Sequence, residues 1–426
     1  MFGMNWTKNI FMGVGLNQSN PFNGMNINLN NNMNNPNQMG NIGGFPQNNN
    51  INNFGNNNNK RSFFKFKNIV SPIKSIFNLS SNQMNFSYAN ATLQSLACLK
   101  CIRQWYLKLY QNKFTQFNNN PNSITRQFFN ILFLLFSGKE PDSSTIIQKY
   151  FQKVWELNKK QPKADPFHFL FYFLEIFHLE NNETLNTNFN INEYINPNIN
   201  NLMNDQYMLK LYQNYFKSTQ YSIVSSNFFN TYRYEIRCQN QLMKCPSLYR
   251  YKIIKIIQFD VEKSKGYRDK MCPSKIGYNI NLEDCFLCLQ DGEKVKCIFC
   301  GSYNAFSISH LWYSNKVLIF SFNRIFHTFN SDIDFGTQID MSKYCKFNMH
   351  GYSHYIYNLK ACISLYQYNK YFVDIEINGN WFRFMDRQYR TLDNSKNEIF
   401  LYEPQLLIYE INEAQNNNIM INRFFN

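Results

Sequence analysis

The period of the hydrophobic pattern changes near residue 221, and this change constrains the possible folds more than any other feature. Between residues 88 and 212 apolar residues recur at helical spacing, most clearly in residues 124–137, 143–157 and 166–179. Later segments alternate or run apolar as strands do; they are residues 232–237, 249–259, 305–312 and 317–322. The sequence therefore predicts a helical part followed by a part rich in strands.

The first 62 residues differ in composition from the rest. Residues 17–59 consist mainly of Asn with Gly, Met, Pro and Phe, and ten of residues 41–60 are Asn. Such a tract buries too little apolar surface to offset the entropy lost on ordering. We therefore expect residues 1–62 to form a disordered tail.

Charge and cysteine usage narrow the function classes. The formal net charge is +15, but the basic residues are scattered, with no run of five or more. This pattern is typical of a diffusely basic surface, so we do not expect a nucleic-acid partner. No stretch is long and apolar enough for a membrane span, and we expect no membrane partner. Eleven cysteines without a convincing secretory signal favour a reducing compartment, cytoplasmic and/or nuclear.

A polar motif, residues 82–96, opens the helical part. One long helix is predicted to begin at Ser87 or Tyr88, with Leu93, Leu96, Ala97, Cys101 and Trp105 at helical spacing. Ser87 stands where an N-cap belongs, so its hydroxyl is expected to accept a hydrogen bond from a first-turn N–H. The positive end of the helix dipole would stabilise a nucleophile placed there as an anion.

This motif resembles the cysteine box of the ubiquitin-specific proteases, which are papain-like deubiquitinating enzymes. That box reads Asn-x-Gly-Asn-Thr-Cys-Tyr-x-Asn-x-x-Leu-Gln-x-Leu. The matching residues are Asn82, Asn85, Tyr88, Asn90, Leu93, Gln94 and Leu96. The resemblance implies that Asn82 is the oxyanion-stabilising asparagine and that Ser87 replaces the cysteine nucleophile.

The other half of the family's site is matched near the C-terminus. Residues 378–386 resemble the family's Gly-x-Trp-Tyr-x-Phe-Asp-Asp, and residues 357–363 resemble the strand that leads to its histidine box. Lys370 stands in the column of the general-base histidine, and Met385 in that of the acid that orients it. Asp386 matches the second acid. The resemblance therefore implies that nucleophile, base and orienting acid are all replaced.

The sequence offers other candidates for the groups of the site. His354 lies in a local histidine-box look-alike, but 27 residues before Trp381, which is too far for a strand and a turn. Ser87 and Lys370 would form a Ser–Lys dyad if the lysine were desolvated. Residues 163–170 resemble the family's Gln-Gln-Asp-Ala-x-Glu-Phe-Leu box. Asp165 then either stabilises the N-terminus of a buried helix or belongs to the site.

Four cysteines have the spacing of a metal site. Cys297 and Cys300 form a C-x-x-C knuckle between predicted strands, and Cys238 and Cys245 form an irregular one. Paired knuckles bind structural zinc tetrahedrally, and the alternative is four ordinary thiols. A second C-x-x-C, in residues 285–288, falls on a helix predicted at residues 282–290, where core packing explains it better.

Taken together, the resemblance implies an α+β, papain-like fold of the ubiquitin-specific protease type over residues 63–412. Its helical thumb would span about 82–215, its zinc-ribbon-like fingers about 221–310 and its β-sheet palm about 311–412, with a C-terminal tail at 413–426. The favoured function is a pseudo-deubiquitinase that binds ubiquitin, a ubiquitinated protein or another protein partner. The alternatives are an active cysteine-type deubiquitinase that hydrolyses isopeptide bonds, and a scaffold that has lost ubiquitin contact.

Overall fold

This computed structural model describes residues 86–111, 122–160, 163–182, 221–240, 244–324, 333–348, 356–367, 370–385, 388–393 and 398–413. The predicted N-terminal tail lies outside them, as does all but the first residue of the predicted C-terminal tail. None of the described helices is long and apolar enough to cross a membrane.

The described part of the helical region folds as predicted. Its helices are α1 (Ser87–Ala97), α2 (Lys100–Gln111), α3 (Ile124–Phe136), α4 (Ser144–Asn158) and α5 (Pro166–Glu180). The last three confirm the helices that the apolar spacing predicts. Asp165 caps α5 by accepting the His168 backbone N–H at 2.8 Å, and Pro166 takes the first position, where a missing N–H is not needed.

The motif at residues 82–96 opens two helices instead of one long helix. The chain leaves helical geometry at Cys98 and Leu99, although the apolar spacing continues through this point. The Glu410 carboxylate accepts the backbone N–H groups of Lys100 and Cys101, each at 3.2 Å. A distant acid therefore satisfies the first turn of α2, and this starts a new helix that local periodicity does not reveal.

The strand-rich region contains three α-helices and fifteen strands among the described residues, besides three single-turn 3-10 helices at Pro273–Lys275, Met341–Lys343 and Glu398–Phe400. The helices are α6 (Ile223–Phe228), α7 (Val261–Met271) and α8 (Leu282–Gln290). The strands are β1 (Asn230–Cys238), β2 (Leu248–Ile254), β3 (Ile257–Asp260), β4 (Ile280–Asn281), β5 (Glu293–Val295), β6 (Ala305–Ser314), β7 (Val317–Asn323), β8 (Ile333–Asp334), β9 (Gln338–Asp340), β10 (Cys345–Asn348), β11 (Ile356–Gln367), β12 (Lys370–Ile377), β13 (Asn380–Met385), β14 (Gln388–Thr391) and β15 (Pro404–Ile411).

Two large sheets contain thirteen of these strands, and β4 and β8 form a separate two-stranded sheet. The smaller has the order β10-β6-β1-β2, with β5 also paired to β6. The larger has the order β14-β13-β12-β11-β15-β7-β3, with β9 also paired to β11. The strand predicted over residues 249–259 is interrupted because β2 belongs to the smaller sheet and β3 to the larger. At the junction, Lys255 pairs with Glu175 and lies over the rings of Phe171 and Phe229.

The larger sheet separates two hydrophobic cores. Ile363 on β11 and Leu406 on β15 face the core shared with α1–α5. Their neighbours Cys362 and Leu407 face the second core, which contains α8. Because successive side chains of a strand point to opposite faces, this alternation fixes which residues meet the helices.

Candidate functional site

The predicted site lies where α1 packs on β12 and β13. Ser87, Asn90, Ala91 and Gln94 share one face of α1, being three, four and seven positions apart. Opposite them lie Tyr371 and Val373 of β12 and Phe384 of β13. These seven side chains surround a cavity of about 10 Å³. The helix therefore presents mostly polar groups to an apolar strip of the sheet.

Ser87 makes a direct contact with the sheet. It is the first residue of α1 and only 2% exposed, and its Oγ accepts the Tyr371 backbone N–H at 2.9 Å. The prediction that Ser87 is the N-cap is wrong. Phe86 occupies that position without a side-chain cap, and its carbonyl accepts the N–H groups of Ala89 and Asn90. The hydroxyl accepts from β12, because the helix begins at Ser87 itself, the earlier of the two predicted starts, and Ser87 is therefore inside the helix and not its N-cap.

The structure brings three predicted site residues to the same end of the β12–β13 pair. Lys370 begins β12, is exposed, and directly precedes the residue that bonds to Ser87. Met385 ends β13 and is half-buried, next to Phe384, which pairs with Val373. Three other residues weighed in the sequence lie outside the described residues: Asn82, His354 and Asp386.

Asp165 is the acidic group of this region. Its carboxylate caps α5 and lies 2.6 Å from His168 Nδ1. Burial raises the pKa of both Tyr88 and Tyr371, and the negative charge of Asp165 raises the pKa of each further. The cap is therefore also part of the electrostatic environment of the cleft. Sequence reasoning left the role of Asp165 undecided and did not foresee that its charge acts on Tyr88 and Tyr371.

A buried ion pair links the two strands that carry Lys370 and Met385. Arg383 donates to both oxygens of Asp374, at 2.8 and 2.7 Å, and its guanidinium lies 4.2 Å from the Phe372 ring and 4.7 Å from the Tyr402 ring. Burial raises the pKa of Asp374 to about 6, although Arg383 lowers it. Sequence reasoning missed this pair. The signal was a tight turn at Asn378-Gly379, whose register places residue 374 opposite residue 383.

The four predicted metal ligands lie together. The sulfur atoms of Cys238, Cys245, Cys297 and Cys300 are all within 4.8 Å of one another, and those of Cys238 and Cys300 are 3.6 Å apart. A tetrahedral zinc–thiolate site, with Zn–S of about 2.3 Å, places its sulfurs roughly 3.8 Å apart. The cluster therefore fits the metal in ligand type, number and spacing.

Strand pairing builds this cluster. The Cys238 end of β1 pairs with the start of β6 at Ala305, so it meets the knuckle that precedes β6. Gly301, with φ of +72°, lets the knuckle turn back so that its N–H reaches the Cys297 carbonyl at 2.9 Å. Cys285 and Cys288 are buried on α8, as core packing predicts, and in the described part of the chain no other group of this kind could hold a metal ion.

Comparison with known proteins places this geometry in context. A family model described as ubiquitin carboxyl-terminal hydrolase matches residues 80–409. Among curated proteins, none matches this sequence significantly.

Several solved structures are similar in fold. One is the SAGA DUB module of Ubp8, Sgf11, Sus1 and Sgf73 bound to monoubiquitin, with a TM-score of 0.55, 16% identity, and coverage of 82% of this chain and 70% of that chain. The same module bound to ubiquitin aldehyde has a TM-score of 0.55 and 16% identity, and the match covers 81% of this chain and 70% of that chain. A yeast SAGA module with an Sgf73 variant has a TM-score of 0.56 and 16% identity, and the match covers 81% of this chain and 69% of that chain. At this identity the likeness shows the fold alone: α+β, of the ubiquitin-specific protease type.

Proposed function

The chain belongs to the ubiquitin carboxyl-terminal hydrolase family, in the ubiquitin-specific protease group, and from that premise we propose that it is a pseudo-deubiquitinase. It binds ubiquitin, or a protein that carries ubiquitin, without hydrolysing the bond to it. In the columns of nucleophile, base and orienting acid the sequence has Ser87, Lys370 and Met385. The catalytic roles of Asn82 and Asp386 are lost with them, because an oxyanion donor assists only a competent nucleophile.

The hydrogen bond from the Tyr371 N–H to Ser87 Oγ carries this proposal. A nucleophilic oxygen must turn a lone pair toward the substrate carbonyl and pass its proton to a base. Here the oxygen accepts a main-chain N–H at 2.9 Å in a buried setting, so this lone pair is engaged by the fold itself. A serine hydroxyl is also a much weaker acid than a thiol and depends more on a base.

Neither Lys370 nor Met385, which stand at the positions of the family's base and orienting acid, supplies that base. The ammonium of a lysine offers only donors, and a methionine thioether is too weak an acceptor to orient an imidazole. A Ser–Lys dyad needs a desolvated lysine, whereas Lys370 is exposed. This exposure argues against the dyad and against the alternative of an active deubiquitinase.

Ubiquitin is the proposed partner because similar folds occur in complexes with monoubiquitin and ubiquitin aldehyde. We further propose that the four-cysteine cluster holds a structural zinc ion that ties β1 to the knuckle before β6. The metal would neutralise the thiolates and hold the cysteines in a closed, non-catalytic site. All eleven cysteines are free thiols, which suits the reducing cytoplasm or nucleus where we place the protein.

One pair of assays tests the proposal. The full chain is incubated with a fluorogenic ubiquitin substrate and with a ubiquitin carrying a C-terminal electrophile, and ubiquitin binding is measured by calorimetry. We expect binding heat, no turnover and no adduct. Turnover that Ser87→Ala abolishes and the exposed-site control Ser137→Ala preserves would overturn inactivity. Absence of binding heat at millimolar ubiquitin would favour the scaffold alternative.

A further inference from the structure

The contact between α1 and β12 is the first of three ties between one helix pair and the larger sheet. The backbone N–H of Tyr371 on β12 donates to Ser87 Oγ on α1. Cys98, just after α1, donates its thiol proton to the Ser95 carbonyl at 2.9 Å, and its Sγ also lies 3.7 Å from the Lys360 carbonyl on β11 as a weaker contact. Glu410 on β15 accepts the first two N–H groups of α2. Since β12, β11 and β15 are successive neighbours, the helix pair is fastened across three strands.

The space beneath the first tie is very small. The cavity lined by Ser87, Gln94, Tyr371 and Phe384 measures about 10 Å³, which is about the room that one water molecule needs. These four side chains are each no more than 6% exposed. Among the described residues, the gap between α1 and β12 is therefore too small to admit an extended polypeptide to the Ser87 oxygen.

Opening such a path would require the helix to leave the sheet. That movement would break the Ser87–Tyr371 hydrogen bond and expose the apolar strip formed by Tyr371, Val373 and Phe384. The ties at Cys98 and Glu410 hold the far end of the same helix pair and oppose the movement. Buried polar groups that lose their partners carry a full desolvation cost, so the closed arrangement is favoured.

We infer that this seam is closed to substrate, and that a ubiquitin bound by the chain keeps its C-terminal tail outside the cleft. The second clause rests on the proposed function, because it takes ubiquitin as the partner. Recognition then comes from the folded body of ubiquitin. Ser87 holds α1 against β12 through its hydrogen bond and has no remaining catalytic role.

Thiol labelling tests the closed seam without any partner. Ser87→Cys and the exposed-site control Ser137→Cys are made in the full chain, and labelling by N-ethylmaleimide is followed peptide by peptide, with native exposed Cys272 as the internal standard. A helix N-terminus favours the thiolate, whereas burial raises a thiol's pKa and blocks the reagent, so slow labelling at position 87 reports that the site is buried. We expect it to react at least about tenfold more slowly than Cys272 while the control keeps pace. Comparable rates at positions 87 and 272 would overturn the closed seam.

Calorimetry tests the position of the tail. Full-length ubiquitin and ubiquitin lacking its C-terminal tail are each titrated into the full chain. We expect the two Kd values to agree within about twofold, a small fraction of the tenfold that corresponds to 1.4 kcal/mol. Full-length ubiquitin binding more than about tenfold tighter would overturn the inference and leave binding without hydrolysis intact. No binding by either form would instead overturn ubiquitin as the partner, and the tail clause with it.

Discussion

Replacing Arg383 by Met should destabilise the protein strongly and in a pH-dependent way. The guanidinium holds both oxygens of Asp374, and the two side chains are 6% and 0% exposed. It also lies against the Phe372 and Tyr402 rings. Methionine preserves part of the stem volume but removes the cation from the two rings and from the carboxylate. Breaking a buried pair in this way costs ~3–5 kcal/mol.

The pH dependence follows from the direction of the pKa shift of Asp374. Burial raises this pKa from 3.8 to about 6 in the folded protein, so the folded state binds the proton more tightly than the unfolded state. The stabilising contribution of this group is therefore present at low pH and lost as the pH rises toward 6, by ~3 kcal/mol at 1.36 kcal/mol per unit. Without Arg383 the pKa rises further, and the loss continues above pH 6.

The free energy of unfolding, measured by urea denaturation at pH 5 and pH 8, checks this reasoning. We expect Arg383→Met to lose ~3–5 kcal/mol at pH 8, where the carboxylate is charged and unpaired, and about 1–2 kcal/mol at pH 5, where mainly the ring contacts are lost. The control is Lys263→Met, because Lys263 is 51% exposed and pairs at the surface with Glu293, which is 71% exposed. Equal losses at both pH values, or a loss no larger than the control's, would refute the argument.

Three further perturbations have defined outcomes. Ser87→Ala should lower the free energy of unfolding by ~1–2 kcal/mol because the Tyr371 N–H is left buried and unpaired; a change no larger than that of Ser137→Ala in the same urea titration would contradict this. Cys297→Ser should release the bound zinc, one per chain by elemental analysis of the wild type, and lower the Tm; a wild type purified without chelator that contains no metal would disprove the site. Glu410→Gln should cost ~1–2 kcal/mol, because a neutral amide has one acceptor oxygen for two N–H groups, whereas the exposed control Glu413→Gln should stay within about 0.5 kcal/mol; equal losses would show that Glu410 does not fasten α2.

Local sequence signals predicted the regular elements well. The helix Leu282–Gln290 was predicted with its start, because Asn281 and Asp284 form a reciprocal capping box that sequence spacing reveals. Helix Val261–Met271 was missed, since its charged surface leaves only a weak apolar period. The breaks at Cys98 and Lys255 were also missed. Both depend on contacts with residues distant in sequence, Glu410 in one case and Glu175 in the other, which periodicity does not encode.

In the site, too, the sequence predicts some features, whereas others depend on tertiary packing. The resemblance to the family's boxes grouped Ser87, Lys370 and Met385, which the structure places near one end of the β12–β13 pair, and cysteine spacing predicted the sulfur cluster. The bond from the Tyr371 main chain to Ser87 was not predictable, because it depends on how closely a helix approaches a strand nearly three hundred residues later. Side-chain chemistry can be read from a motif, but the separation of two packed elements is set by every residue between them.

The alternation of the larger sheet between two cores has an evolutionary consequence. Inserting or deleting one residue in the middle of β11 would exchange Ile363 for Cys362 at the helical interface and carry the error into every strand paired beyond it. Such a frame slip is far more damaging than any point replacement on the same strands. Point substitutions can therefore replace a nucleophile, a base and an acid in turn, while the lengths and register of the strands that carry these positions stay unchanged.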